Sequence, residues 1–551
     1  MLDDYYDLGA HSFAVGTSSA EAQTWFDRGL IWCYGFNHEE AERCFQHAVA
    51  ADPGCAMAHW GIAYAVGPHF NKDWASYGED ERTRAVARGH LAVTEAVRLA
   101  NPERPLEWAL IQAMAVRYPS PEPAEDCAVW ERRYAEALRP VYARFGDDPD
   151  VACLFAEALI NRTPWLLWDL ATGEPAEGAD TLEAAAVLER AIGAIDAAAA
   201  APHPGLLHMY IHTIEMSPNP ERALAAADQL RSLVPDAGHL RHMPTHIDLL
   251  MGNYLSVVRG NEQAIAVDRK YLEREGSLNF YALYCCHDLH FKVYGAMFLG
   301  QFEAALEAAD EITSIVSDDL LRVETMPMAD WAEGFIPMRL HVLVRFGQWQ
   351  QIIAEPLPAD PELYCTTTAL LHYAKGIAYA TLGDVAAAER QCVLFGEARE
   401  RVPESRAIFN NTGLDVLEIA AQMLAGEVAY RAGDFERAFA HLRRSVELDD
   451  TLPYDEPWGW MQPTRHALGA LLLEQGRTEE AEAVYRADLG MDDSVPRPSR
   501  HPNTVWSLHG LHECLVQNGK LGEAAELRPA LDHALSFATV AIESSCYCRR
   551  A

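Results

Sequence analysis

The chain has 551 residues, of which 81 are acidic and 44 are basic, giving a formal net charge of −37. A single ordinary core does not grow to this length, so several domains or an array of repeats is expected. An acidic surface repels phosphates, which disfavours binding to nucleic acid or to anionic lipid. Metal ions and cationic ligands suit this charge better.

Targeting signals and cysteine usage indicate the compartment. The N-terminal segment MLDDYYDLGAHSF has neither the basic nor the apolar region of a signal peptide. No apolar run reaches the length of a membrane-spanning helix, so no membrane span is predicted. The twelve cysteines lack paired metal-ligand spacing, and we predict reduced, mostly buried thiols. The sequence therefore predicts a cytoplasmic protein.

Internal repeats dominate the organisation. The first is WFDRGLIWCYGFNHEEAERCFQHAVAADP, which fits the 34-residue tetratricopeptide pattern at Trp25, Gly29, Ala41, Phe45, Ala48 and Pro53. Small residues at these positions let two helices approach, aromatic residues fill the gap, and proline ends the second helix. Later copies align through Gly426, Ala438 and Leu442, and through Leu468, Gly469, Ala481 and Tyr485. Strand signals are nearly absent, so we predict an all-α, tetratricopeptide-like right-handed α-solenoid.

Four regions follow along the chain. Residues 1–72 carry N-terminal repeats, and 73–201 are helical in composition with a degraded repeat pattern. Residues 202–315 contain histidine-rich repeats that we predict to form a metal site. Residues 316–551 carry the C-terminal repeats.

The histidine-rich region places imidazoles at recurring repeat positions. His208 and His212 are spaced i, i+4, as are His242 and His246, and the second pair follows the first by 34 residues. Repeat positions 2, 5, 9 and 12 share one face of the first helix, which lines the concave groove of such arrays. This face receives the predicted metal ligands His208, His212, His242, His246 and His290, with Glu215 as the predicted acid–base group or carboxylate ligand. His239 and His287 are predicted as alternative ligands or as groups that support the ligands.

Other residues of the region leave the register open. Pro244 cannot donate to a helical ladder, so the helix is expected to begin near Met243, with His239 and His242 on the preceding turn. Whether Asp248, His341 and His466 belong to the site is also open. Isolated histidines elsewhere are interpreted as hydrogen-bonded structural residues.

A resemblance rests on several of these segments. They are FDRGLIWCYGFNHEEAERCFQHAVAADPGCAMAHWGIAYAVGP, AEALINRTPWLLWDL, HPGLLHMYIHTIEMSPNPERALAAADQL, GHLRHMPTHIDLLMGNY and YCCHDLHF. The chain resembles a family of long bacterial tetratricopeptide-repeat proteins that is distantly similar to human tetratricopeptide repeat protein 38. The family pattern carries the counterparts of His212, Glu215, His242, His246, His287 and His290, all retained here. Thr245 and Asp288 depart from it, and the resemblance implies the fold and the site rather than a reaction.

Several functions are compatible with this pattern. Histidine-dominated ligation without cysteines suits copper, iron, nickel or zinc rather than magnesium or calcium. We favour a copper- or iron-dependent oxidase or oxygenase that acts on a small organic substrate. The alternatives are a zinc-dependent hydrolase, a metal store and a non-catalytic scaffold that binds a peptide or protein partner. No glycine-rich phosphate loop and no GxSxG nucleophile motif is present.

Overall fold

The computed structural model describes residues 5–324 and 326–549. The first part of the chain forms helices α1 (Ala20–Tyr34), α2 (His38–Ala51), α3 (Ala56–Ala65), α4 (Glu79–Leu99), α5 (Pro105–Arg117), α6 (Ala128–Phe145), α7 (Pro149–Ile160), α8 (Thr181–Ala197), α9 (Pro204–Glu215), α10 (Leu224–Leu230), α11 (Gly238–His242), α12 (Pro244–Leu250) and α13 (Tyr254–Glu275). Short 3-10 helices span Trp74–Ser76 and Pro220–Ala223.

The remainder is also helical. It forms α14 (Ala282–Leu299), α15 (Phe302–Ile315), α16 (Asp318–Leu321), α17 (Met328–Ala332), α18 (Met338–Arg345), α19 (Trp349–Ala354), α20 (Cys365–Leu382), α21 (Val385–Arg399), α22 (Gly413–Arg431), α23 (Phe435–Asp449), α24 (Thr464–Glu474), α25 (Thr478–Asp488), α26 (Val505–Gln517) and α27 (Leu521–Leu535). Short 3-10 helices span Glu333–Phe335 and Arg497–Ser499. Strands β1 (Ala407–Ile408) and β2 (Asn411–Thr412) form one antiparallel pair.

The helices form two compact units. The first contains residues 5–247 with Gln263–Arg274 and residues 324 and 326. The second contains Asp248–Glu262, Glu275–Val323 and residues 327–549. In each unit successive helices pack against each other, as α1 does on α2 in the first and α22 on α23 in the second. These helix pairs confirm the predicted all-α, tetratricopeptide-like fold.

Close helix contacts explain the small residues of the repeats. A Cβ atom at Gly29 would lie 2.7 Å from the Phe45 ring, and one at Gly61 would lie 2.4 Å from it. Phe45 is fully buried between these two backbones. Gly469 and Gly510 surround Tyr485 in the same way, with gaps of 2.4 and 2.3 Å. A larger residue at any of these glycines would separate the paired helices.

The cysteines match one part of the sequence prediction. Nine of the ten free thiols are buried, and Cys392 is half-buried. Cys546 and Cys548 form a disulfide, so the prediction that all twelve are reduced is wrong for this pair. Within the described residues, every helix is too short or too polar to cross a bilayer.

Candidate metal centre

Helix α9 supplies three side chains of the candidate site. His203 caps the helix by accepting a hydrogen bond from the backbone amide of Leu206, and Pro204 occupies the first turn. The helix packs against α1, α7, α8 and α10, which buries every one of its residues. His208, His212 and Glu215 are therefore removed from solvent together. Polar groups in such a position require specific partners.

The orientation of His208 is fixed by the main chain. Its Nδ1 atom lies 2.6 Å from the carbonyl oxygen of Tyr34, at the end of α1. Because a carbonyl only accepts, Nδ1 carries the proton and Nε2 holds a lone pair. In residues 5–324 and 326–549, no hydrogen-bond partner faces this Nε2 atom. A metal ligand whose second ring nitrogen donates to a carbonyl has this same arrangement.

Glu215 holds two imidazoles at once. Its Oε1 atom accepts from Nδ1 of His212 at 2.8 Å, and its Oε2 atom lies 2.8 Å from Nδ1 of His246. The Nε2 atom of His212 has no hydrogen-bond partner among the described residues. The Nε2 atom of His246 lies 2.9 Å from Nε2 of His242. The carboxylate thus orients the His212 ring through a hydrogen bond, and its other oxygen lies in ion-pair contact with the His246 ring.

Pro244 divides the next segment into two short helices. His239 and His242 lie on α11, and His246 lies on α12 after a break at Met243. Thr245 bridges the break by donating from Oγ1 to the carbonyl of His242 at 2.7 Å. The break lies where the proline predicted it. On α11, one ring nitrogen of His239 lies within 4.8 Å of ring nitrogens from His208 and His212.

Burial keeps the α9 histidines neutral. Burial, followed by the nearby imidazole of His212, lowers the pKa of His208 well below its ordinary value. Burial, followed by His246, lowers the pKa of His212 in the same direction. Neutral imidazole is the form that binds a metal ion. The cluster therefore presents metal-binding nitrogens at physiological pH without prior loss of protons.

Aromatic residues enclose the cluster. Phe36 has a left-handed backbone with φ of 58°, and its ring lies 4.5 Å from His208, 5.7 Å from His212 and 5.5 Å from His239. Phe70 and Trp165 flank His212 at 4.8 and 5.6 Å. Sequence reasoning missed Phe36 and Phe70 because they come from loops distant in the chain. The only local signal for Phe36 is its place beside Asn37, the cap of α2.

The second unit contains the other predicted ligands. His287 packs on Phe291 at 4.9 Å, both on α14. His290 is buried, with Nε2 located 2.7 Å from Sδ of Met461 and its ring stacked on Phe409. Burial lowers the pKa of His290 to about 3.

The three residues left open by the sequence also lie in the second unit. Asp248 is buried there. His341 packs against Trp460 at 5.0 Å. His466 bonds Asp488 at 3.1 Å and accepts from Arg345 at 2.9 Å, so both of its ring nitrogens are engaged in the polar core of that unit.

A second polar cluster lies at the N-terminus of α9 and includes its cap, His203. Asp150 Oδ1 accepts from the Tyr34 hydroxyl at 2.6 Å, from His11 Nε2 at 2.9 Å and from His203 Nε2 at 3.1 Å. These side chains satisfy one another and cap α9. Tyr34 therefore serves both clusters, through its hydroxyl here and through its carbonyl at His208.

A cleft of about 240 Å³ lies beside the cluster in the first unit. His69 is part of its wall and stacks on Phe36 at 4.6 Å. Trp74, Arg82 and Asn161 also line it. The cleft is large enough for a small organic molecule, and the ring of Phe36 also contacts His208 and His212.

Comparisons with known proteins give no family. No family model matches the sequence, and no match was found among curated proteins. Among solved structures, 137 chains match. The fold assignment rests on the helix pairs of the two units rather than on these matches.

Three of the matching structures show how low the sequence identity and the TM-score of these matches are. In the structure of the APC/C hetero-tetramer Cut9–Hcn1, the match has 11% identity, covers 90% of this chain and 76% of the other, and has a TM-score of 0.31. The match to yeast Tom70 has 11% identity, covers 94% of this chain and 99% of the other, and has a TM-score of 0.29. The match to the human IFIT1 dimer with m7Gppp-AAAA has 14% identity, covers 94% of this chain and 97% of the other, and has a TM-score of 0.32.

Proposed function

We propose that the first unit binds a transition-metal ion through His208, His212 and His239. One observation carries the proposal: two buried histidines each have Nδ1 engaged, whereas their Nε2 atoms face no hydrogen-bond partner in the described part of the chain. A buried ring nitrogen without a partner is costly, and a metal ion would satisfy it. The third ligand is His239, whose ring nitrogen lies within 4.8 Å of those of the other two.

Glu215 acts in this proposal by orienting ligands. The sequence suggested an acid–base group or a carboxylate ligand at this position. Both of its oxygens lie against imidazole Nδ1 atoms, at 2.8 Å from each. A carboxylate in that position fixes the ring orientation and raises the basicity of the ligating nitrogen. His242 and His246 complete the polar wall of the site through their contact at Nε2.

The donor set limits the choice of metal. Neutral imidazoles suit copper, iron and zinc. Three protein ligands leave a coordination position open, as catalytic sites require. With copper or iron bound, the site would supply the redox chemistry for oxidising a small organic molecule in the adjoining cleft. With zinc bound, it would instead activate water for hydrolysis. The predicted cytoplasmic location and the family resemblance remain part of this proposal.

Elemental analysis of the tag-free protein tests metal binding. We expect about one equivalent of copper, iron or zinc, which is lost in the His208→Ala/His212→Ala double variant. His47→Ala serves as the control because His47 is exposed on α2. Wild-type protein that holds no metal after incubation with each ion would reject the proposal. Oxygen consumption with a panel of small amines and phenols then tests oxidation separately.

A binding scaffold without catalysis is the second candidate. The full burial of His208, His212 and Glu215 favours it, because an ion held there lacks a solvent-exposed face. In that case the metal would stabilise the repeats, and the helices would present a partner-binding surface. Retained metal without oxidation or hydrolysis of any tested substrate would favour the scaffold.

A further inference from the structure

The segment that follows α27 runs along the second unit in a non-helical conformation. Phe537 accepts a hydrogen bond from the side chain of Gln301 at 2.9 Å, and the amide of Thr539 donates to the carbonyl of Gly300 at 3.0 Å. These contacts place the start of the segment beside the turn between α14 and α15. Residues 544–549, which we call the tail, continue from there to five further helices.

Ser545 is the most deeply held tail residue. Its hydroxyl donates to the carbonyl of His466 at 2.8 Å and lies 2.5 Å from the hydroxyl of Tyr485. Its own carbonyl accepts from the guanidinium of Arg345, which stacks on Trp506 at 3.9 Å. Only 1% of Ser545 is exposed. Both the hydroxyl and the carbonyl of Ser545 are therefore held by residues of the helix array.

The rest of the tail is recognised by both main-chain and side-chain contacts. The carbonyl of Cys548 accepts from Arg431 on α22. Tyr547 packs edge-on against Trp506 at 5.9 Å. Arg549 forms a bidentate ion pair with Glu513 on α26, at 2.7 and 2.8 Å. Bidentate pairs of this kind add geometric specificity.

The tail does not fill the space that it enters. A cavity of about 30 Å³ remains next to Cys546 and Cys548, and Arg345, Glu427, Trp460 and His466 line it. A space of this size holds about one water molecule. The surface around the tail has the features of a binding groove: arginines that bind carbonyls, an aromatic wall and a carboxylate at its end.

We propose that this surface, formed by Arg345, Arg431, His466, Tyr485, Trp506 and Glu513, is a peptide-binding groove and that the tail is its built-in competitor. The ligand class is an extended peptide segment of another protein in which small polar residues precede a tyrosine and an arginine. The tail competes at a high effective concentration because it belongs to the same chain. A partner segment therefore binds only by displacing it. The proposal is independent of the metal centre.

Binding of a labelled peptide to the full chain tests the proposal. The probe is a fluorescein-labelled peptide of residues 541–549, AIESSCYCR, with its disulfide formed. Fluorescence anisotropy should show weak binding to wild-type protein. Arg549→Ala should increase the affinity about fivefold or more, since loss of an ion pair weakens the tail but leaves Glu513 for the peptide. The double variant Arg549→Ala/Glu513→Gln should lose this gain.

Matched variants exclude indirect effects. Arg528→Ala removes an exposed arginine of α27 that pairs with Asp532, and it should leave peptide affinity unchanged. Equal affinities for wild-type protein and Arg549→Ala would overturn the proposal, as would a gain that persists in the double variant. If Arg549→Ala loses its helical circular-dichroism signal, Arg549→Lys takes its place, because lysine keeps the charge without the bidentate geometry.

Discussion

The carboxylate of Glu215 lies 2.8 Å from Nδ1 of His212, one turn earlier on the same fully buried helix. Residues spaced i, i+3 on a helix share a face, so the pair forms within α9 without help from other elements. The same carboxylate reaches His246 on α12 through its other oxygen. One side chain thus couples two elements of the candidate metal centre.

We expect Glu215→Gln to weaken metal binding by 10- to 100-fold, the usual effect of removing a group that orients a ligand. Glutamine has one acceptor oxygen, so its NH₂ group would face one of the two imidazole Nδ1 atoms. Competition with a chromophoric chelator measures the change. Glu221→Gln, at an exposed position of the 3-10 helix that follows, is the matched control. Unchanged affinity in Glu215→Gln would remove Glu215 from the site.

Phe36 is expected to be essential for the stability of the first unit. Its ring is buried among three imidazoles, and its backbone has a φ of 58°. Phe36→Ala should reduce the free energy of unfolding by about 3–5 kcal/mol, as for other buried phenylalanines. Phe435→Ala, at a position 38% exposed on α23, should cost about 1 kcal/mol or less. Urea titrations of both variants would measure the difference.

The repeat pattern predicted much of the fold because its signals are local. Gly29 and Phe45 lie where the pattern placed them, with the ring against the glycine backbone. The spacing of His208, His212 and Glu215 also predicted their shared face on α9, and Pro244 predicted the break that follows. Each of these follows from helix periodicity or from the chemistry of one residue.

Other parts of the site depend on contacts between distant segments. The Tyr34 carbonyl that fixes His208 is 174 residues away in sequence, and a main-chain acceptor has no side-chain signature. Phe36 acquires its role only when α1 and α9 pack together. The burial of α9 was not predicted either. The sequence pattern placed its histidines on the face of an open groove, whereas every residue of the helix is buried.

A buried carboxyl group predicts a pH dependence for the first unit. Burial raises the pKa of Glu157 to about 7, although hydrogen bonding from Tyr64 opposes the shift. Because the folded-state pKa exceeds the unfolded value, the folded protein binds the extra proton between about pH 4.5 and 7. The contribution of Glu157 is thus fully present below about pH 4.5 and is lost as the pH rises through 7.

Glu157→Gln should therefore remove this pH dependence. From pH 4.5 to 8, the wild-type protein should lose about 3 kcal/mol relative to the variant, because the pKa of Glu157 is about 7 in the folded protein instead of its ordinary 4.5. Urea titrations at both pH values give the difference. Glu103→Gln, at an exposed turn, is the control and should parallel the wild type. Parallel stabilities for Glu157→Gln and wild type would show that Glu157 titrates normally in the folded protein.

Glycine-to-alanine substitutions in the second unit should have opposite effects at two positions. A Cβ at Gly510 would lie 2.3 Å from the ring of the buried Tyr485, so Gly510→Ala should destabilise the fold by about 1–3 kcal/mol. Gly396 lies inside α21 with open space around its missing Cβ, so Gly396→Ala should stabilise it by up to about 1 kcal/mol. Thermal unfolding followed by circular dichroism would measure both. A neutral Gly510→Ala would mean that α25 and α26 lie further apart around Tyr485 than described here.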